Sequence, residues 1–120
     1  MDISAIREQL LIKIERQADL RRQKAEELPA DQRNLESAAE LDAVKSELEQ
    51  LPTENFRLLR LARLWDSLAA DPRAVEIEDE FFRGYGFHGD YTGGDHAGHF
   101  LEALTSELTH ELGLEFEEAD

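Results

Sequence analysis

Five side chains able to ligate a metal fall within the twelve residues from 88 to 99: His88, Asp90, Asp95, His96 and His99. If a helix begins near Asp95, then His96 and His99 stand at i and i+3, and Asp95 and His99 at i and i+4, so they share a face. Mixed nitrogen and oxygen donors of this kind suit zinc or another transition metal. The set that would hold a divalent ion is His88, Asp90, His96 and His99.

The catalytic patterns that would give such an ion a reaction are missing. Ala97 and Gly98 stand between His96 and His99, so there is no HExxH. Counted from Asp90 as a calcium loop, the sixth position is Asp95 and the twelfth Leu101, where glycine and glutamate are required. Asp95 also has a competing use as the N-cap of a helix. No serine sits in a GxSxG elbow, and "GYGFHG" lacks the strand and helix that a dinucleotide fingerprint needs around its glycines. With 28 carboxylates in the chain, no acid and base pair stands out. The sequence is therefore assigned no enzymatic activity and no cofactor, with metal binding by the histidine loop as the alternative.

The same stretch, FFRGYGFHGDYTGGDHAGHF (residues 81 to 100), holds six of the seven glycines and both tyrosines. Its glycines permit a tight reversal, and Tyr85, Phe87 and Tyr91 are placed to cap an apolar core or to serve as contact residues for a protein partner.

Around that loop the periodicity is helical. Ile3, Ile6, Leu10, Ile14, Ala18, Ala25 and Leu28 form one stripe, with Asp2 as N-cap and Pro29 as stop. Arg16 to Glu27 is almost wholly polar and is expected to project from the fold. A second stripe, Leu35, Ala38, Leu41, Val44, Leu48 and Leu51, follows Asp31 as a possible N-cap. Two such stripes joined by a short proline-containing turn predict an antiparallel, coiled-coil-like helical hairpin.

Thr53 is the expected cap of a third helix, ENFRLLRLARLWDSLAA, apolar over more than half its circumference and therefore expected at the centre. Asp71, Pro72 and Gly84 bracket a fourth helix as N-cap, N1 and C′. A fifth runs from about Asp95 to Leu112. The fold class is thus all-α: a hairpin over 1–51 that serves as oligomerisation element, a small helical domain over 53–113 with its loop at 84–95, and an acidic tail over 114–120.

Charge carries the functional expectation. The chain of 120 residues has a net charge of −15, but residues 1–60 carry 10 Lys/Arg against 13 Asp/Glu and residues 61–120 carry 3 against 15. A field of −12 over sixty residues repels phosphate backbones and anionic membranes and attracts basic protein surfaces. Glu76, Glu78, Asp79 and Glu80, with Tyr85, Phe87 and Tyr91, are the expected partner-binding residues. The partner would be a protein with a basic surface, and in the sharpest version the acidic half imitates nucleic acid and inhibits a nucleic-acid-binding protein. Arg57, Arg60 and Arg63 are expected to neutralise the chain's own acids.

Self-association as a homodimer is expected through Ile3, Ile6, Leu10 and Ile14, since they exceed what one hairpin partner can cover. The absence of cysteine and of a signal-peptide pattern in MDISAIREQLLIKIER points to the cytoplasm, and no segment has the ~20 consecutive apolar residues of a membrane span.

Overall fold

The computed structural model describes residues 3–30, 32–68, 71–85 and 95–112. Among them are five helices and no strand: α1 (Ile3–Glu27), α2 (Arg33–Gln50), α3 (Phe56–Ser67), α4 (Pro72–Gly84) and α5 (His96–Glu111). None is long and apolar enough to cross a membrane.

α1 and α2 form the predicted hairpin. Three contacts fix its antiparallel sense: Arg7 donates to the Leu51 carbonyl, Lys45 pairs with Glu15 at 3.0 Å, and Arg22 pairs with Asp42 at 2.9 Å. A 25-residue helix is roughly 37 Å long, and α1 accounts for most of the molecule's 45 Å long axis. The seam is Ile6, Leu10, Ile14 and Ala18 of α1 against Ala38, Leu41, Val44 and Leu48 of α2, all buried. α2 is rotated slightly from the expected stripe, so that Asn34 and Ser37 turn inward and Leu35 is 52% exposed. Asp31 lies outside the described residues, and Gln32 occupies the N-cap position without a side-chain cap.

Two expectations about α1 need correction. Ile6, Leu10 and Ile14 are not a surface for a second chain, because α2 and the C-terminal helices of the same molecule bury them to 4% exposure or less. Nor does the second half of α1 project: Ala18, Arg21 and Ala25 are buried, with Arg21 reaching across to the end of α4. Ile6, Leu10 and Ile14 are covered because α3 and α4 as well as α2 pack on α1, while Ile12 and Leu20 stay exposed.

α5 is the hub of the C-terminal half. It contacts α2, α3 and α4, and Phe100, Leu101, Leu104 and Leu108 are fully buried. α3, expected at the centre, covers one side instead: Leu58, Leu61, Ala62 and Leu64 are buried, but Phe56 is 61% exposed beneath the Arg57 guanidinium. Its cap is Asn55, whose side chain accepts from the N–H groups of Arg57 and Leu58, rather than Thr53. Asp71 caps α4 as predicted, with Pro72 opening the helix. Gly84 is the last helical residue, and Tyr85, with φ of −69°, is the C-cap. Buried residues of all five helices form one core cluster.

A carboxylate lies inside that core. Glu78, on the inner face of α4, is 1% exposed and pairs with Lys13 of α1, beside a cavity of about 10 Å³. Burial pushes its carboxyl up from the ordinary range, and Lys13 opposes that shift. Such a group favours folding below its unfolded pKa and loses that contribution as pH rises through its folded value. Removing the ammonium while keeping the stem, as in Lys13→Met, leaves the carboxylate uncompensated. The variant is predicted to lose about 3 kcal/mol at pH 8 and progressively less as pH falls and Glu78 takes up a proton. Chemical denaturation at a series of pH values measures this, and a penalty independent of pH would contradict it.

Candidate functional site

On either side of the glycine-rich stretch 86–94, which lies outside the described residues, the end of α4 and the start of α5 are held by polar side chains of the hairpin. At the loop's start, α4 terminates with carbonyl groups that have no partner within the helix. Arg21 of α1 donates to the carbonyls of Phe82, at 3.3 Å, and Arg83. Ser37 of α2 donates its hydroxyl to the Tyr85 carbonyl at 2.7 Å. A cation at a helix C-terminus also complements the negative end of its dipole. Burial holds the Arg21 guanidinium below its ordinary pKa, but an arginine stays charged.

At the loop's end, α5 begins with N–H groups in the same position. Asp95, the predicted N-cap, accepts from Gly98 N at 3.0 Å, and Glu47 of α2 accepts from Ala97 N at 3.0 Å. Glu40, two turns earlier on α2, holds the His96 imidazole through Nδ1 at 2.9 and 3.1 Å from its two oxygens. A Cβ on Gly98 would lie 2.2 Å from Asp95 Oδ2, so this capping rotamer requires glycine there. Arg57 closes the outer side, 3.5 Å from Asp95 Oδ2 and 2.6 Å from Glu102 Oε2. In that respect one of the three α3 arginines neutralises acids of the second half, as expected.

His96 is raised above its ordinary pKa chiefly by the hydrogen bond its imidazole makes to the Glu40 carboxylate, with Glu47 and Asp95 adding in the same direction and burial opposing. A carboxylate-bound imidazole is one part of a general-base arrangement. Here Ser37 donates its hydroxyl to the Tyr85 carbonyl, Asp95 and Glu47 accept from the first N–H groups of α5, and Glu40 holds the His96 side chain, so the cluster fixes the end of α4 and the start of α5.

Tyr85 is 9% exposed, its ring 5.1 Å from Phe100, 5.4 Å from Phe81 and 6.4 Å from the His99 imidazole. It is a core residue of an aromatic cluster that also contains Phe82, and its hydroxyl approaches Glu40 at 3.5 Å. His96 and His99 diverge: the first turns to α2 and is three-quarters buried, the second is exposed beside Tyr85. Among the described residues no three His, Asp or Glu side chains are grouped to hold a metal ion. His88, Asp90, Phe87 and Tyr91 lie outside the described residues.

The expected acidic residues divide by face. Glu76, Asp79 and Glu80 lie on the outer side of α4 and are exposed, flanked by exposed Arg73 and Arg83. Glu78 points the other way, into the core, and is corrected from a partner contact to a structural residue because the helix turns it onto Lys13. On α5, Glu107 and Glu111 are exposed as well.

Arg21, Ser37, Glu40 and Glu47 were not singled out from sequence. A usable signal was present: Ser37, Glu40 and Glu47 recur at three and seven along one edge of the α2 stripe, next to the seam residues Leu41, Val44 and Leu48. No protein family, curated protein or solved structure compared with this chain matches it.

Two caps, one from the residue preceding α5 and one from α2, give a measurable consequence. Asp95→Ala and Glu47→Ala are each predicted to cost about 1 kcal/mol, the usual worth of a helix N-cap, although Glu47 lies in another helix. Gln50→Ala, at an exposed position on the same helix, should stay within about 0.5 kcal/mol of the native chain. Urea denaturation of the three variants decides between a cap and an incidental contact.

Proposed function

We propose that this chain is a non-enzymatic interaction module whose acidic C-terminal half binds a protein with a basic surface. The observation that carries the reading is the outer face of α4, where Glu76, Asp79 and Glu80 are exposed, while Lys13 and Arg57 are turned to Glu78, Asp95 and Glu102. On this face three exposed acids stand against Arg73, which is paired with Asp71 at 2.8 Å, and Arg83. An exposed field of one sign raises the rate of encounter with a partner of the other sign.

In its most specific form, the face imitates a nucleic-acid backbone and occupies the binding surface of a nucleic-acid-binding protein, inhibiting it. In this reading the chain acts in the cytoplasm and touches neither nucleic acid nor membrane directly. Phe87 and Tyr91 remain proposed contact residues of the loop, whereas Tyr85 supports it from the core.

The test is capture from a cell lysate by immobilised native chain and by a Glu76→Lys, Asp79→Lys, Glu80→Lys variant. The native chain should retain basic proteins at roughly 50 mM salt and release them by roughly 500 mM, as screening shortens the reach of the field. The variant should retain few or none. Equal retention by both chains, or none by the native chain, contradicts the proposal. A nucleic-acid fragment added as competitor should displace the retained protein if mimicry is correct.

A further inference from the structure

An open groove of about 550 Å³ runs along the hairpin, lined among the described residues by α1 and α2 alone. Its apolar part is Leu11, half-buried, with Ile12 and Leu20, which are 53% and 43% exposed. Ile12 and Leu20 stand about two turns apart, roughly 12 Å along α1. Apolar side chains at such spacing in an open groove are the anchors that a helix-in-groove contact uses.

The charge of the groove selects what can cover them. Glu8, Glu15, Asp19 and Glu49 line it against Arg16 and Lys45, an excess of two negative charges. The ion pairs that tie α1 to α2 at this place do not remove the excess, because each cation is shared. Lys45 serves both Glu15, at 3.0 Å, and Glu49, at 4.0 Å. Arg22 serves both Asp19, at 2.6 Å, and Asp42, at 2.9 Å. All four carboxylates remain more than half exposed, and a carboxylate has about four lone-pair sites, so each can accept from a further cation. On the face of Ile12, Glu8 lies one turn before it and Glu15 one turn after.

We infer that this groove takes a basic amphipathic helix of a partner protein. One apolar residue of that helix covers Ile12 and another, two turns along, covers Leu20. Its lysines or arginines, one turn to either side of the first apolar residue, meet Glu8 at one end and the shared acids Glu15 and Asp19 at the other. A second copy of this chain is not the occupant, since two grooves with the same negative excess repel each other. Arg16 opposes an approaching cation, which makes it the position where reversing a charge strengthens binding. The groove is separate from the outer face of α4, and the inference stands whether or not that face binds a partner.

The test uses the full chain and a fluorescein-labelled peptide of about 15 residues, long enough as a helix to span Glu8 to Gln23, with leucines on one helical face and lysines on the other. Fluorescence anisotropy is read at roughly 150 mM salt, where the charges of α4 reach only about 8 Å. The native chain should bind the peptide saturably. Ile12→Gln and Leu20→Gln should each weaken binding about fivefold. Arg16→Glu should strengthen it about threefold, a gain that a folding defect cannot produce. All three positions are exposed, so the helical circular dichroism should not change.

A Glu76→Gln, Asp79→Asn, Glu80→Gln variant should stay within about twofold of the native affinity. A peptide of the same composition, with its leucines spread around the helix, should bind at least about fivefold more weakly. Absence of saturable binding overturns the inference, as does equal affinity for the two peptides. A loss confined to the α4 variant, with positions 12, 16 and 20 indifferent, overturns it too and supports the acidic face of α4 instead.

Discussion

The first turn of α5 has to present its N–H groups at a place where the chain has just left a glycine-rich connection, and α5 is the helix on which α2, α3 and α4 all pack. Unpaired donors there would destabilise the central helix of the C-terminal half. The fold meets this with carboxylates from two sources: Asp95 from the connection itself and Glu47 from the hairpin. Glu40 adds a hold on the His96 side chain. α2 is therefore both one half of the hairpin seam and the element that sets where α5 begins. The opposite end of the connection depends on the same hairpin, through Ser37 and Arg21.

This arrangement also sorts the charges. Lys13 and Arg57 turn to Glu78, Asp95 and Glu102, acids of the C-terminal half. Arg7 and Arg21 are directed at the carbonyl groups that close α2 and α4. What faces water on the outer side of α4 is Glu76, Asp79 and Glu80 together with Arg73 and Arg83. The electrostatic asymmetry that motivates an interaction role follows from how the core was built, since the helix that buries Glu78 must expose the residues on either side of it.

Much of this fold was legible in the sequence, for reasons that can be stated residue by residue. Local rules that act within one helix held: apolar spacing of three and four in α1, α2 and α5, Asp71 and Pro72 opening α4, and Asp95 opening α5. What escaped was set by contacts between helices. Arg21 looked like part of a solvated run, yet it lies where α4 ends and is buried by that encounter. α3 looked central because it is apolar most of the way round, but its Phe56 end extends past the neighbours that could cover it. Glu78 was grouped with its acidic neighbours because composition does not distinguish the faces of α4; the helical turn that puts it in line with Ala74 and Phe82 does. The histidine loop shows the same limit. His96 and His99 share a sequence pattern suited to a metal, but their side chains answer to different neighbours, Glu40 for one and Tyr85 for the other.

The most direct test of the account is the titration of His96, followed by its imidazole NMR signals in the native chain and in a Glu40→Gln variant. If α2 holds the start of α5 as described, His96 titrates above the ordinary histidine value of about 6.5 in the native chain and moves back toward it when the Glu40 charge is removed. A His96 that titrates at or below the ordinary value in the native chain, or that does not respond to Glu40→Gln, would contradict the claim that α2 anchors the end of the loop.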